Sequence, residues 1–526
     1  MADQKTVLPP GLNSAEFKLA LKALAAAVGD QWVKSDAGTI AAYRDPYATL
    51  DDYAFLPSAV ISPASVEEVQ KVLKVANETN VPLWPVSTGK NYAYGGPAPR
   101  MKGTAVLDLR RMNRIIEVNE KLGYVFVEPG VSYFDLYQHL RSIGSKLWVD
   151  CAAPGWGSVL GNALERGAGY TPYGDHWGNQ CGLEVILANG EIIRTGMGGV
   201  PKSKAWGAFK YGFGPYVDGM FTQSNLGVVT KMGMWLMGEP PAVKPMVIQF
   251  PREDSLAQIV DAVLPLRKAG IFNGGMMLSG ILWEGGGISP RTRWYDGKGA
   301  MPASAISQMA RDLDMGWWNL VTGLYGTEAL IASNFEIIRD AMSSVPGAKV
   351  VTESDRPTDP AFAYRKKLMM GEPNMYEFNL INWVPGGGHI AFSPALPLDG
   401  AEAEKVYSLC SNTVHAAGFD WMGEFACQLR SCLQVQFLPF NRTDPDERKR
   451  AHETFHKLVG LCGDAGYGEY RTQLGFMDAV AKMYNFNDNS FMRLNEAIKD
   501  ALDPKGILAP GKSGIWPKAI RGVPHA

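Results

Sequence analysis

The chain has 526 residues, of which 46% are hydrophobic and 20% are charged, and its formal net charge is −2. This length exceeds that of an ordinary single domain, and the near-neutral charge offers no attraction for nucleic acid. No apolar run reaches the roughly 18 residues of a membrane span, and no secretory signal is visible, so we expect a cytoplasmic protein. The six cysteines have no C-x-x-C spacing, so neither a zinc site nor a redox dithiol is indicated and no metal is expected.

Short helices and strands alternate through the first half of the chain. The spacing of Ser65-Val-Glu-Glu68 predicts the capped start of a helix, with apolar residues following at helical period. The short apolar run at 81–86 is typical of a buried strand, and residues 105–109 and 124–127 are predicted to form further strands.

Two more local signals follow in the same region. Ser132, with Asp135 three residues later, predicts a helix that continues through Leu140. The pair Asn189-Gly190 lies between two apolar runs and predicts a hairpin with a type I′ turn. Together these elements indicate an α+β domain with mixed sheets.

The pattern changes near Pro240-Pro241. Longer helical patterns and strand-like runs then alternate, the helices at 255–269, 401–417 and 446–465 and the strands at 246–250 and 376–383. The turn-rich tail at 502–512 is expected to return to the first domain. We therefore predict an α+β protein of two domains, the first formed by 1–242 plus 468–526 and the second by 243–467.

Three glycine-rich loops occur in the first domain, at 87–96, 155–175 and 212–227. Small residues let backbone N–H groups approach a pyrophosphate, and Ser87 and Lys90 of the first loop add a hydroxyl and a charge. This loop matches neither G-x-G-x-x-G nor the P-loop pattern, so those assignments lack support. Any one loop could be a plain surface loop, but three of them suit an extended, flat cofactor such as FAD better than a lone nucleotide.

Several short motifs add to this signal. They are Tyr94-Gly-Gly96, Glu128-Pro-Gly130, Gly468-Glu-Tyr-Arg-Thr472, and the segments 169–176, 196–198, 212–227 and 508–517. Taken together, they resemble the motifs of the vanillyl-alcohol oxidase family of flavoproteins, over nearly the whole chain. The resemblance implies the FAD-binding domain of that family with a separate α+β cap domain, formed here by 243–467.

For the cofactor, the resemblance implies FAD bound covalently through His389, which follows three glycines. A neutral imidazole is a competent nucleophile toward the flavin 8α-methyl position. Taken alone, such a histidine is an ordinary loop or core residue. The other FAD contacts that we expect are Ser87, Thr88, Gly89, Lys90, Asn91, Gly95, Gly96, Pro154, Gly157, Ser158, Gly161, Asn162, Tyr173, Gly174, Asp175, Gly227 and Lys512.

For the substrate, the resemblance implies that Tyr94, Tyr470 and Arg471 bind a phenol as its phenolate. Two phenolic O–H donors and a guanidinium that meet at one oxygen would stabilise the negative charge. An ionised phenol pushes electron density toward its para carbon, which favours hydride loss to flavin N5. The plain alternative for a buried Tyr-Arg pair is an ordinary hydrogen bond at a domain interface.

The sequence departs from the family pattern at one acidic position. The oxidases of the family usually carry an aspartate near flavin N5, and Ala153 takes that place here; Asp150 comes three residues too early. Glu424 aligns with a neutral residue of the oxidases, whereas related cytochrome-linked cresol hydroxylases carry a glutamate there. We therefore expect Glu424 to activate water, and to do so on the opposite face of the substrate. A surface position for Glu424 is the alternative.

The expected wall of the substrate pocket consists of Trp421, Ala391, Leu433, Gln434 and Val435. The family often has Met-His-His around 432–434, where this chain has Cys-Leu-Gln. Together with Ala391, this difference suggests a pocket of altered shape with room for a longer para substituent.

The resulting hypothesis is an FAD-dependent oxidase of small para-substituted phenols, with O2 as electron acceptor and H2O2 as product. The first alternative passes the electrons to a cytochrome c. The others are a flavin dehydrogenase of 2-hydroxy acids and a non-catalytic flavin-binding protein. The short connection between Gly198 and Tyr211 implies a homodimer, because octameric members of the family carry a longer insertion there.

Overall fold

The computed structural model describes residues 7–51 and 53–523. The chain contains both helices and largely antiparallel sheets, as predicted for an α+β protein. The helices are α1 Ser14–Val28, α2 Ala37–Ala42, α3 Val66–Thr79, α4 Tyr133–Ser142, α5 Val159–Leu164, α6 Leu256–Lys268, α7 Ile281–Gly286, α8 Ala303–Asp312, α9 Glu328–Met342, α10 Pro360–Met369, α11 Gly400–Ala416, α12 Pro445–Asp464, α13 Met477–Ala481 and α14 Phe486–Leu502. The strands are β1 Val33–Lys34, β2 Val60–Ile61, β3 Leu83–Val86, β4 Ala105–Asp108, β5 Ile115–Asn119, β6 Tyr124–Val127, β7 Leu147–Trp148, β8 Gln180–Ile186, β9 Ile192–Arg194, β10 Val228–Trp235, β11 Met237–Gly238, β12 Ala242–Phe250, β13 Met276–Gly280, β14 Trp318–Gly326, β15 Lys349–Thr352, β16 Gly388–Phe392, β17 Ala395–Pro397, β18 Met422–Cys427 and β19 Ser431–Phe440.

The strands before residue 240 form small sheets. A four-stranded sheet has the order β1-β2-β4-β3, in which β4 runs parallel to both β2 and β3. An antiparallel sheet of five strands has the order β5-β6-β10-β8-β9, and β7 pairs with β11. Helices α1 and α3 pack against the first sheet through an apolar cluster that includes Leu24, Leu73 and Leu107.

All strands from β12 onward belong to one antiparallel sheet. Its order is β15-β12-β14-β13-β18-β19-β16, with β17 paired to β19. The cap core lies on one face of this sheet and includes Trp318, Phe392 and Phe425, together with residues of α6, α11 and α12. The strand sets thus divide where the sequence pattern changes, near residue 240. The predicted domain limits themselves stay a prediction.

A second apolar cluster joins the two sets of strands. It combines Val125, Leu183 and Met232 of the five-stranded sheet with Met277 and Ala426 of the cap sheet. Because this face of the cap sheet packs against the first domain, a side chain on it points toward the domain boundary.

The local sequence signals determine several element boundaries. The side chain of Ser65 caps α3 by accepting from the backbone N–H of Glu68, and Ser132 and Asp135 form a complete capping box at α4. The hairpin at Asn189-Gly190 is present, but its predicted type I′ turn is wrong. Only Gly190 has a positive φ, of 87°, and its N–H donates to the carbonyl of Leu187. This arrangement is a tight turn followed by a left-handed glycine, which fits a hairpin loop longer by one residue.

The strand predicted at 376–383 is also wrong. Residues Tyr376–Asn382 form a 3-10 helix, which begins where Asn374 accepts a hydrogen bond from the backbone N–H of Tyr376. Its apolar run resembles that of a strand because Leu380 is buried and its neighbours face a cavity.

Candidate functional site

A cavity of about 450 Å³ lies between the first domain and the cap sheet. The loops at 87–96 and 155–175 and the tail around Lys512 form one side, while β13, β16, β18 and β19 form the other. The expected cofactor residues that line it are Ser87, Thr88, Gly89, Lys90, Asn91, Gly96, Pro154, Gly157, Ser158, Gly161, Asn162, Gly227, His389 and Lys512. Residues from distant parts of the chain therefore meet at one cleft.

Four expected cofactor residues lie outside the cavity lining. Gly95 packs on the side chain of Leu474, and its φ of 109° favours glycine at that turn. Tyr173, Gly174 and Asp175 form the tip of a loop, where the carbonyl of Gly174 accepts from Gly169 N–H and exposed Asp175 accepts from Gly178 N–H. These residues shape the loop and do not reach the cleft.

His389 lies on β16 and faces the cavity. Its ring stacks on Phe437, with centroids 4.2 Å apart and planes 10° apart, and it also contacts Tyr47. Burial lowers the pKa of His389 to about 3, so its imidazole is neutral. Its Nδ1 atom is buried and has no hydrogen-bond partner in the described part of the chain. The stack on Phe437 fixes the ring, the imidazole is neutral, and Nδ1 makes no hydrogen bond to the described residues. These are the properties of a nucleophile.

Tyr94, Tyr470 and Arg471 meet at another wall of the cavity. Arg471 Nη2 donates to Tyr94 Oη at 3.1 Å, and the guanidinium carbon lies 4.1 Å from the Tyr94 ring centroid and 5.5 Å from that of Tyr470. We call these three residues the phenol clamp, after the role that the sequence predicts for them. The carbonyl of Tyr470 accepts a hydrogen bond from Gln223, which fixes the segment against the first domain.

The clamp favours negative charge on a bound molecule. Burial raises the pKa of Tyr470, so this phenol is neutral and can donate a hydrogen bond. Burial alone would lower the pKa of Arg471, but the neighbouring phenols outweigh it, so the net shift is upward and the guanidinium stays charged. Arg471 Nε is buried without a partner among the described residues. One cation and two phenols are a suitable site for an oxyanion.

Glu424 lies on β18 and faces the cavity, with only 5% of the residue exposed. Ser279 Oγ donates to Glu424 Oε2 at 3.1 Å, and Arg365 Nη1 lies 3.7 Å from the same oxygen. Burial, the largest cause, raises the pKa of Glu424 to about 8; Arg365 opposes this shift, and the charges of Glu377 and Glu284 add to it. Glu424 is therefore placed and tuned to exchange a proton near neutral pH.

Ala153 lines the cavity, and Asp150 does not. Asp150 Oδ1 lies 2.6 Å from His176 Nε2, and Asp150 Oδ2 accepts from the backbone N–H of Thr171 at 2.7 Å. Both oxygens of Asp150 are thus engaged away from the cleft, so of the two acidic residues considered from the sequence, Asp150 and Glu424, it is Glu424 that faces the cavity.

Strand alternation decides which expected pocket residues face the cavity. Ala391, Leu433 and Val435 line it. Trp421 and Gln434 instead lie on the other face of the cap sheet, because successive side chains of a strand point to opposite faces. Trp421 packs in the cap core, with Tyr407 and Trp318 at ring centroid distances of 4.8 and 5.8 Å. Buried Gln434 donates a weak 3.4 Å hydrogen bond to Gln436.

Sequence reasoning missed several residues of the cavity wall. They are Tyr170, Met277, Trp283, Glu377, Phe378, Ala426 and Phe437. Glu377 lies in the 3-10 helix that was predicted as a strand, and burial raises the pKa of its carboxyl group. For Ala426 and Phe437 a signal existed, because they stand two residues from Glu424 and Val435 on the same strands and so share their face.

The residues present fit a flavin cofactor. Glycine-rich backbone lines one side of the cleft, where a Cβ at Gly161 would clash with Ser87 Oγ. The opposite side presents the unpaired Nδ1 of His389. Two family models match in agreement with this geometry: the FAD binding domain over residues 57–196 and the C-terminal domain of FAD linked oxidases over 291–513. The protein is an FAD-dependent oxidoreductase with an FAD-binding domain and a cap domain.

Relatives that match over nearly the whole chain identify its family more closely. The chain is 39% identical over 518 residues to the flavoprotein subunit of 4-cresol dehydrogenase [hydroxylating] from Pseudomonas putida, covering 98% of this chain and 99% of that one. A crystal structure of p-cresol methylhydroxylase with bound substrate matches with a TM-score of 0.95 and 39% identity over 97% of this chain and 99% of the other. The 4-ethylphenol oxidase from Gulosibacter chungangensis matches with a TM-score of 0.96 and 38% identity over 98% of this chain and 100% of the other. The chain belongs to the vanillyl-alcohol oxidase and p-cresol methylhydroxylase family, as the motifs predicted.

No helix in the described part of the chain combines the length and the apolar character that a bilayer crossing needs.

Proposed function

We propose that this enzyme oxidises para-alkylphenols and 4-hydroxybenzyl alcohols at the benzylic carbon. The observation that carries the proposal is the phenol clamp, because Arg471 and Tyr94 form a 3.1 Å hydrogen bond beside Tyr470 on the wall of the cofactor cavity. The relatives support it, since their names specify cresol and 4-ethylphenol as substrates. FAD, when bound, supplies the acceptor for the hydride that leaves the benzylic carbon.

The clamp binds the phenol and holds its oxygen as an anion. Charged Arg471 and the hydroxyls of Tyr94 and Tyr470 donate to that oxygen, which lowers the pKa of the bound phenol. Electron density then moves toward the para position. The substrate loses hydride there and becomes a para-quinone methide.

Glu424 acts on this electrophile as a general base. As a carboxylate, it takes a proton from water while the water oxygen attacks the benzylic carbon, and the product is a benzylic alcohol. If the substrate intermediate loses a proton from its side chain instead, an alkene forms; a 4-hydroxybenzyl alcohol yields the aldehyde. Because the base lies on the cap sheet and Ala153 replaces the usual aspartate, we expect water to add to the face opposite to that used by aspartate-containing oxidases.

We also propose that His389 bonds covalently to the flavin. The support is its neutral state, its unpaired Nδ1 and the stack on Phe437 that fixes the ring. Denaturation with acid should leave yellow protein of increased mass, and His389→Ala should release free FAD under the same treatment. Release of FAD from the parent protein would refute this link.

As electron acceptor we propose O2, with H2O2 as product, in a homodimeric enzyme. The 4-ethylphenol oxidase supports an oxidase assignment by its name. The second candidate is transfer to a cytochrome c, which is favoured by the name of the Pseudomonas putida relative, a dehydrogenase whose flavin-carrying chain is one subunit.

The experiment that tests the function is anaerobic stopped-flow reduction with 4-alkylphenols and 4-hydroxybenzyl alcohols, followed by air. Rapid bleaching of the flavin spectrum by these phenols, and not by their O-methyl ethers or 2-hydroxy acids, is the expected result. Bleaching that does not require the free phenol would overturn the proposal. Stoichiometric peroxide after air indicates O2 as acceptor, whereas slow reoxidation that cytochrome c accelerates indicates the second candidate.

A further inference from the structure

A buried ionic cluster lies directly behind Glu424. Arg365 of α10 has only 2% of its surface exposed, and its Nη2 donates to Glu284 Oε1 of α7 at 2.8 Å. Its Nη1 lies 3.7 Å from Glu424 Oε2. The same guanidinium thus serves two carboxylates on different elements, with Glu284 held more tightly than Glu424.

Neutral groups complete the surroundings of this cation. Ser279 Oγ lies 3.4 Å from Arg365 Nη2 and donates to Glu424, so it bridges the two. Tyr170 Oη accepts from Arg365 Nη1 at 3.4 Å, and burial raises the pKa of this phenol, which stays neutral. The thiol of Cys432 on β19 interacts electrostatically with Glu424 and not with Arg365, and burial raises the pKa of this thiol.

The cluster contains more carboxyl groups than cations. Glu284, Glu377 and Glu424 face one Arg365, so full ionisation would leave two uncompensated negative charges in a buried space. Burying an unpaired charge is costly, and such groups take up protons instead. Arg365 lies closest to Glu284, at 2.8 Å, and burial raises the pKa of the two less closely paired carboxyl groups, Glu377 and Glu424, which titrate as a coupled pair.

We propose that Arg365 is a positioning residue that divides one positive charge between Glu284 and Glu424, and thereby sets how readily Glu424 releases its proton for water attack. This inference rests on the proposed function of Glu424 as base. Glu284 competes with Glu424 for the positive charge of Arg365. Because it holds the guanidinium at 2.8 Å, it draws Arg365 away from Glu424 and so adds to the effect of burial, which raises the pKa of Glu424.

The proposal predicts opposite effects for the two partners. Glu284→Gln removes a negative charge and frees Arg365 for Glu424, so the pKa of Glu424 should fall. Arg365→Met removes the cation, so the pKa of Glu424 should rise, even if Glu284 then takes a proton. A nearby charge of this kind shifts a carboxyl pKa by about 1 to 3 units. A residue with a merely structural role would lower activity in both variants without moving the pKa in two directions.

The decisive measurement is an infrared pH titration of the holoenzyme. The carbonyl band of protonated Glu424 is assigned by its disappearance in Glu424→Gln. In Glu284→Gln the midpoint of this band should move down by about 1 unit or more. The matched control is Glu184→Gln, since Glu184 is a carboxylate of equal burial that pairs with Arg194 at 2.8 Å on the five-stranded sheet, outside the cavity lining. In this control variant the midpoint of the Glu424 band should equal that of the parent protein.

An unchanged midpoint in Glu284→Gln, or an equal shift in the control, would overturn the inference. Arg365→Lys is expected to retain the parent midpoint within about half a unit, because it restores the charge. If Arg365→Met does not fold, Glu284→Gln alone still decides, because a glutamine has the same shape. A midpoint that shifts while the pH profile of water addition does not would show that the charge of Glu284 and Arg365 sets the pKa of Glu424 but would refute Glu424 as base, so the two failures are distinguishable.

Discussion

The two polar walls of the cavity carry opposite balances of charge. In the phenol clamp, buried Arg471 lies beside two phenols, one of which accepts its hydrogen bond at 3.1 Å. The opposite wall, which we call the cap wall, presents Glu377 and Glu424, and behind it buried Arg365 pairs with Glu284 at 2.8 Å and lies 3.7 Å from Glu424. The clamp therefore has positive charge in excess, and the cap wall has carboxyl groups in excess.

The difference shows how one enclosed cavity can perform two kinds of chemistry. Arg471 has no carboxylate in ion-pair contact among the described residues, and such a cation stabilises an anion that the substrate brings, so in our proposal the clamp ionises the phenol. Carboxylates that outnumber their cation retain protons, so the cap wall can hold and exchange a proton near neutral pH. The two arginines are both buried, yet their neighbours give them different tasks.

The strongest test of this comparison removes the cation of the clamp. Arg471→Met should lower the rate of flavin reduction by 4-ethylphenol by roughly 10²- to 10³-fold, because a preorganised donor to a developing or bound oxyanion is lost. Arg471→Lys should recover part of the rate, since the charge returns without the planar donor pair. Anaerobic stopped-flow spectroscopy measures both. A rate for Arg471→Met within threefold of the parent would show that the clamp does not ionise the phenol.

The second test acts on the opposite wall. Glu424→Gln keeps the shape of the side chain but cannot accept a proton, so the ratio of benzylic alcohol to 4-vinylphenol from 4-ethylphenol should fall by about 10²-fold. Flavin reduction should change little, because the hydride leaves before water attacks. Chromatography of the products gives the ratio, with Glu184→Gln as the control. An unchanged ratio would remove Glu424 from water activation.

The sequence alone was sufficient to predict the elements that have strong local signals. Ser132 and Asp135 were predicted to start a helix and do so, because capping depends on neighbours three residues apart. The phenol clamp was found through its motifs, although Tyr94 and Arg471 lie 377 residues apart. No local pattern could have produced that contact.

The remaining parts of the site depend on tertiary structure. Arg365 and Glu284 are 81 residues apart, on α10 and α7, and neither has a local signal that would indicate a pair. Trp421 was predicted to line the pocket, and it stands three residues before Glu424. An offset of three residues on a strand places it on the other face, so the alternation of side chains, applied from Glu424, would have excluded it.

A smaller effect is expected from removal of one hydroxyl of the clamp. Tyr94→Phe loses the oxygen that accepts from Arg471 at 3.1 Å, while the ring beneath the guanidinium remains. We expect flavin reduction to slow by roughly 10-fold, which corresponds to about one hydrogen bond in free energy. Tyr92→Phe is the matched control, because Tyr92 lies in the same turn and lines the same cavity outside the clamp. Equal losses in the two variants would assign the effect to the turn and not to the clamp.

The smallest perturbation is a change of pH, which distinguishes the roles of the two walls without a mutation. Glu424 is a base only when it is ionised, and its pKa is raised to about 8, so its active fraction increases as the pH rises through that value. Between pH 7 and 9 the ratio of benzylic alcohol to 4-vinylphenol should therefore rise by about tenfold, and in Glu424→Gln it should not respond to pH. In the clamp, Arg471 stays charged and burial raises the pKa of Tyr470, so neither of these two groups titrates in this interval. A ratio that falls with pH would mean that the carboxylate wall acts as an acid, and the division of tasks between the two walls would then have to be reversed.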